Sequence, residues 1–132
     1  MLRKSAFFLF LSALSLLSAC QSRQDEAGRV RHVVICWLKN NSETQKQDFL
    51  NAVYSLRRIP GVLSISAGGV MKSSEPVADN SFDLAFTIDF KSKSDLDSYI
   101  VHPHHKAVVN KYLKPALQKV VVYDYKNSEV KK

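Results

Sequence analysis

The sequence predicts one α+β domain in the order β-α-β-β-α-β, and three features point to it. Phe82, Leu84, Phe86, Ile88 and Phe90 alternate with Asp83, Ala85, Thr87 and Asp89, the two-residue period of a strand with one dry face. Phe49, Leu50, Val53, Tyr54 and Leu56 recur at helical spacing, as do Val108, Val109, Tyr112 and Leu113. Pro60-Gly61 and Pro103 punctuate the chain where elements must stop or turn.

Each element follows in order. Val30 to Leu38 is apolar and β-rich, so it is expected as a strand covered on both faces. Ser42 with Gln45 three residues on has the form of a capping box, and the helix it opens ends at Pro60-Gly61. Val62 to Val70 sets Ser64 and Ser66 against Leu63, Ile65 and Ala67, a strand with one drier face. Met71 to Ser81 is a polar loop with a proline. Phe82 to Phe90 is the third strand. Ser92 or Ser94 caps a short helix carrying Leu96, Tyr99 and Ile100. After Pro103 a second helical stretch runs towards Leu117, and Lys119 to Lys126 closes the domain as a strand with Val120 to Tyr125 as its apolar body. No internal repeat exceeds the βαβ half.

This order is the ferredoxin-like split βαβ: a four-stranded antiparallel sheet with both helices on one face. The all-apolar side of the third strand must face the helices. If Val33, Ile35 and Trp37 join it there, His32, Val34, Cys36 and Leu38 fall on the open face beside Ser64, Ser66, Asp83, Ala85, Thr87 and Asp89. That face is too apolar for free exposure and too polar for an ordinary core. A homodimer with facing sheets would cover the apolar part and leave a polar-lined cavity. The alternative is a monomer with a partly wet sheet.

The first residues set the compartment. Met1-Leu2-Arg3-Lys4 is a short basic start, and Ser5 to Leu17 is apolar and too short to span a bilayer, the layout of a secretory signal. Leu17-Ser18-Ala19-Cys20 resembles the lipobox of bacterial lipoproteins. That resemblance implies a diacylglycerol on the Cys20 thiol, cleavage before it, and attachment to a membrane through two or more acyl chains. Gln21 in place of Asp implies the outer membrane, facing the periplasm, in a Gram-negative host. The alternative is a plain signal peptide cut near Ala19.

The domain plan is therefore a signal over residues 1–19, the lipidated Cys20 with a polar tether to residue 29, a folded domain over 30–126, and a basic tail over 127–132. Removing the signal leaves 113 of the 132 residues, and the formal charge falls from +7 to +5 as Arg3 and Lys4 depart. Lys126, Lys131 and Lys132 could touch anionic lipid or nothing at all. An exported chain with no basic stripe is not expected to bind nucleic acid. With Cys20 lipidated, Cys36 has no partner, and its place in a strand makes it a buried, inert thiol rather than a nucleophile.

Tyr99-Ile100-Val101-His102-Pro103-His104-His105 puts a phenol and three imidazoles around a helix-breaking proline. An imidazole near pKa 6.5 accepts or donates a proton at neutral pH, and a phenol can donate to a developing enolate oxygen. Tyr99 and His105 are too far apart to be neighbours on one straight helix, but a turn at Pro103 could bring them to the mouth of the dimer cavity. The structural alternative has His102 ending or capping a helix, His105 bonding a backbone carbonyl, and Tyr99 packing its ring with its hydroxyl at the surface. No metal site is expected, because His102, His104 and His105 point to different sides of a helix and no further ligand cluster completes a set. A haem or monooxygenase reading through Trp37 and His105 rests on fold analogy alone. Asp83 and Asp89 are expected as rim or ion-pair residues.

The ordered motifs resemble those of the stress-responsive A/B barrel (Dabb) family. They are Arg31-His32-Val33-Val34-Ile35, Ile59-Pro60-Gly61-Val62, Phe82-Asp83, Phe90 with Ser94-Asp95-Leu96, the Tyr99–His105 segment, and Val122-Tyr123-Asp124-Tyr125. The resemblance spans about residues 30–126 and implies a dimeric α/β barrel. Most members have no established reaction. One plant branch, the olivetolic acid cyclases, closes a linear tetraketide thioester by aldol condensation. Its catalytic Tyr and last His fall on Tyr99 and His105, and its pocket His early in the first strand falls on His32. No cofactor is expected, since Tyr99 and His105 in a dry pocket could move a proton next to a carbonyl unaided.

Two functions remain open from the sequence. One is a lipid-anchored module whose dimer cavity holds a small apolar molecule. The other is a cofactor-independent lyase, cyclase or isomerase acting next to a carbonyl through Tyr99 and His105.

Overall fold

The computed structural model describes residues 27–128. The signal segment, Cys20, the first part of the tether, Lys131 and Lys132 lie outside the described residues. Strand β1 (Val30–Leu38) leads to helix α1 (Glu43–Ser55), whose N-terminus is capped by the Ser42 side chain accepting from the Gln45 N–H. A 3-10 turn (Leu56–Arg58) and Gly61 at φ +89° deliver the chain into β2 (Val62–Gly69). Strand β3 (Leu84–Phe90) follows the polar loop. Helix α2 (Lys93–Val101) is capped by Ser92, and α3 (Pro103–Val108) by the His102 side chain. A π-helical turn (Val109–Leu113) and a last short turn (Lys114–Ala116) carry the chain to β4 (Leu117–Lys126). Pro115 has no N–H for the carbonyl four residues back, at Lys111, which accounts for the widened turn there.

The sheet order is β2-β3-β1-β4, with every neighbouring pair antiparallel. This is the ferredoxin-like arrangement, an α+β fold, and it agrees with the element order read from the sequence.

One face assignment differs. Val30, Val34, Cys36 and Leu38 are buried with the helices, so the even-numbered side of β1 is the helix side. His32, Val34 and Cys36 pair with Ile88, Phe86 and Leu84, and so share the dry face of β3. The odd-numbered side, with Arg31, Val33, Ile35 and Trp37, is the open face. The cause is that Val30–Leu38 is apolar on both sides, so alternation alone selects neither; pairing with β3 decides. Trp37 is accommodated outside by the Lys119 ammonium 4.2 Å from its ring centroid and by donating Nε1–H to Ser81 Oγ at 3.1 Å.

The core lies between sheet and helices. Phe49, Val53, Leu56, Ile59, Leu84, Ile88, Phe90, Leu96 and Tyr99 are almost wholly buried in it. Each large apolar side chain removed from water there contributes about 1.5–3 kcal/mol. On the open face the Arg31 guanidinium grips Asp89 with both arms, at 2.6 and 3.0 Å, and Ser64 Oγ donates to the same carboxylate at 2.9 Å. The guanidinium bond holds the Asp89 carboxyl below the usual carboxylate range. Asp83 instead accepts from the Leu38 N–H at 2.7 Å. Asp89 is thus an ion-pair residue, as expected from the sequence, whereas Asp83 anchors a backbone N–H.

Candidate functional site

Pro103 cannot continue α2, and His102 takes an extended conformation (φ −61°, ψ 135°) at the break. The chain re-enters a helix at once, because Pro103 is suited to a first turn and the His102 Nδ1 accepts the His104 N–H at 3.1 Å. This jog separates the three imidazoles into three roles. His102 caps α3. His104 donates Nε2–H to the Ser55 carbonyl at 3.2 Å and ties α3 to the end of α1. His105 turns inward over Tyr99, with ring centroids 4.5 Å apart.

Tyr99 is 1% exposed and lies between Phe90, at 5.0 Å, and His105. His32 approaches its edge from β1 at 6.1 Å. Tyr99, His105 and His32 therefore form one cluster on the helix side of the sheet. A cavity between facing sheets does not include them, which corrects the expected placement at a dimer-cavity mouth. The reason is again the face of β1: once His32 turns towards the helices, the cluster is internal to one chain.

Both flanking imidazoles are held through Nδ1. His105 Nδ1 bonds the Ile100 carbonyl at 3.0 Å. A carbonyl only accepts, so Nδ1 carries the proton and Nε2 keeps its lone pair. Burial, with smaller contributions from nearby cationic groups, lowers the His105 pKa and favours this neutral form. His32 Nδ1 is 2.7 Å from the Asp124 carboxylate, which orients that ring in the same way. Burial pushes the Tyr99 phenol up, so it stays protonated and can only donate to an oxyanion. The arrangement pairs a neutral base with a protonated hydroxyl, the combination needed for proton abstraction beside a carbonyl.

Trp37 and His105 lie on opposite sides of the sheet and share no site. Cys36 is fully buried, and burial pushes its thiol up to about 12, so it is inert. Among the described residues no group of three His, Cys, Asp or Glu side chains is arranged to hold a metal ion. A groove of about 560 Å³ runs between α1 and α3 past Ser55, Arg58, His104 and Tyr112, and does not reach Tyr99 or His105.

The model of the stress responsive A/B barrel domain matches residues 30–127. The chain belongs to that family. Among curated proteins none matches the chain. A Dabb protein of Mesorhizobium loti with a ferredoxin-like fold is 28% identical with a TM-score of 0.62, over 74% of this chain and 95% of that one. A hydroxynitrile lyase of Passiflora edulis is 22% identical with a TM-score of 0.69, over 80% and 98%. A dimeric ferredoxin-like protein of unknown function from Thermobifida fusca is 19% identical with a TM-score of 0.62, over 76% and 92%. The last two likenesses show the fold alone.

Within this Dabb domain the sequence pointed to Tyr99, His105 and His32 but missed Asp124. The alternation in Val120 to Tyr125 puts Asp124 on the side of Val120 and Val122. Only the β1–β4 register, His32 opposite Asp124, makes it the partner of the imidazole.

Proposed function

We propose that this Dabb domain is exported, anchored through Cys20, and assembled as a homodimer, and that it binds a small apolar molecule at the Tyr99–His105–His32 cluster. The observation that carries the ligand site is a buried phenol flanked by two imidazoles, each held by Nδ1 with Nε2 unbonded among the described residues. Rings supply an apolar wall, and the Tyr99 hydroxyl and the Nε2 atoms supply polar contacts, the usual make-up of a small-ligand site. The dimer is supported by the open face, where Val33, Ile35, Val121 and Tyr123 form an apolar stripe beside the Arg31–Asp89 pair. The dimeric Thermobifida fusca protein shares the fold. The lipobox-like Leu17-Ser18-Ala19-Cys20 supports the anchor and a place in the cell envelope, at the outer membrane in a Gram-negative host.

A second reading is favoured by the protonation states. His105 Nε2 removes a proton next to a carbonyl of the bound molecule, and the Tyr99 hydroxyl donates a hydrogen bond to the enolate oxygen. The same proton returns to another atom, so the reaction is a lyase, cyclase or isomerase step that needs no cofactor. Native mass spectrometry of the protein recovered from its host tests both readings. The expected result is dimer mass with a retained small molecule whose occupancy falls in Tyr99→Phe and His105→Gln. A ligand-free monomer sinks the proposal. Occupancy unchanged in both variants sinks the cluster as the ligand site, and a ligand that the wild type releases unaltered sinks the catalytic reading.

A further inference from the structure

The sheet register gathers one set of chain ends together. Val30 opens β1 opposite Phe90 and Lys126, and Val62 opens β2 opposite the same Phe90. The end of α1, the start of α2, the end of β3 and the end of β4 therefore share one pole of the domain. Arg57, Arg58, Lys91 and Lys126 are exposed there, with Arg29 half-buried among them.

The acids of this pole among the described residues each have a partner. Asp89 is held by Arg31, Asp97 by Lys93 at 2.6 Å, Asp124 by His32, and Asp95 accepts from Ser92 Oγ at 2.7 Å. No ion pair among the described residues takes Arg29, Arg57, Arg58, Lys91 or Lys126. The opposite pole is mixed, with Glu75, Asp79 and Asp83 interspersed among Lys39, Lys72 and Lys119. Arg57 and Arg58 complement the C-terminal dipole of α1. That explanation does not extend to Lys91 and Lys126, which end strands with little net dipole.

The tether leaves from the same pole. The Gly28 N–H donates to the Asn127 carbonyl at 3.0 Å, and the Asn127 N–H to the Arg29 carbonyl at 2.8 Å, so the described residues both begin and end there. Eight residues, 21–28, separate Cys20 from Arg29. At about 3.5 Å per extended residue they reach at most roughly 30 Å.

We infer that this basic pole is a docking surface for an anionic phospholipid bilayer, and that it sets the domain pole-down on the membrane to which Cys20 is attached. The inference takes its direction from the anchor reading but fails separately from it. The test is hydrogen exchange of the host-processed protein on vesicles of phosphatidylcholine alone or mixed with phosphatidylglycerol. Backbone exchange around residues 57–61 and 91–93 is expected to slow about five-fold or more on the anionic vesicles, the gain for one basic side chain near such a surface. High salt reverses it, and Arg57→Ser/Arg58→Ser/Lys91→Ser abolishes it. Equal exchange on both vesicles overturns the inference, and so does slowing that the triple variant retains. A chain that proves unacylated at Cys20 yet still docks on anionic vesicles overturns the anchor and leaves the docking surface standing.

Discussion

The rings of Tyr99 and His105 meet at 4.5 Å although a helix break and six positions of sequence separate them. The contact exists because Pro103 ends one helix and starts another, and because His105 is pinned to the Ile100 carbonyl behind it. The imidazole is expected to titrate below 6.5, since burial penalises its charged form. An NMR titration of the His105 ring reads this directly. In Tyr99→Phe the ring wall stays and the value moves little; ligand affinity falls by about 1 kcal/mol or more as one hydrogen bond is lost. A His105 that titrates above 6.5 removes the argument for a neutral base.

The same shift carries a stability consequence. The folded-state pKa of His105 is depressed, so the unfolded chain takes up the proton first as pH falls. Stability from this group is complete above the unfolded value near 6.5 and is lost as pH falls towards the folded value. Replacing His105 by Gln removes that slope. Urea melts of wild type and His105→Gln from neutral pH into the mildly acid range should converge as the pH drops. Parallel curves would show that burial of His105 has no energetic effect.

The fold was legible because β3 and the two helical stretches each carry one unambiguous period. Phe82 to Phe90 admits one dry face, and Phe49 to Leu56 one buried stripe. Strand β1 was not legible in the same way: Val30–Leu38 is apolar on both sides, and only cross-strand pairing with β3 assigns His32 inward. The site inherited that ambiguity. Tyr99, His105 and His32 could be named from their residue types and motif, whereas their place on the helix side, and Asp124 as partner of His32, depend on long-range register. The sorting of the three histidines into cap, tie and site likewise depends on backbone direction at Pro103, which composition does not carry.

The open face makes a prediction about assembly. Ile35 projects from the middle of β1 on that side, with Ala85 and Val121 as its cross-strand neighbours. A charge there must stay solvated, and no cation lies opposite it in the register. Ile35→Glu is expected to convert a dimer into a monomer by light scattering, with the far-ultraviolet circular dichroism unchanged. A variant that remains dimeric would place the interface elsewhere.

Gly61 sits at φ +89° between the 3-10 turn and β2, and a Cβ there would lie 3.0 Å from Asp95 Cβ and 3.2 Å from Asp95 Oδ1. Asp95 is not free to retreat without disturbing Ser92, whose hydroxyl it accepts and which caps α2. Gly61→Ala therefore combines left-handed strain of about 1–2 kcal/mol with loss of cap geometry. A domain of this size should lose roughly 10 °C in Tm. Gly68→Ala, with open space around the added carbon, serves as the control and should shift little. Equal melting of the two variants would contradict the packing argument.

Cys36 lies wholly inside the core, and burial pushes its thiol up to about 12. At pH 8 only about one molecule in ten thousand would carry a thiolate there, and the sulfur is closed off as well. Alkylation of Cys36 should therefore proceed only through opening of the sheet. Its rate, followed by peptide mass spectrometry to separate it from any signal at Cys20, should match the exchange rate of the slowest β1 amides. It should become immediate in guanidinium chloride. Cys36→Ala keeps the site apolar and should cost little more than a small cavity. Cys36→Ser puts a hydroxyl among Leu84, Val34 and Leu38 and should cost on the order of 1–3 kcal/mol unless it finds a carbonyl. Fast labelling of the folded protein would mean that β1 opens locally, and with it the strand that holds His32 against Tyr99.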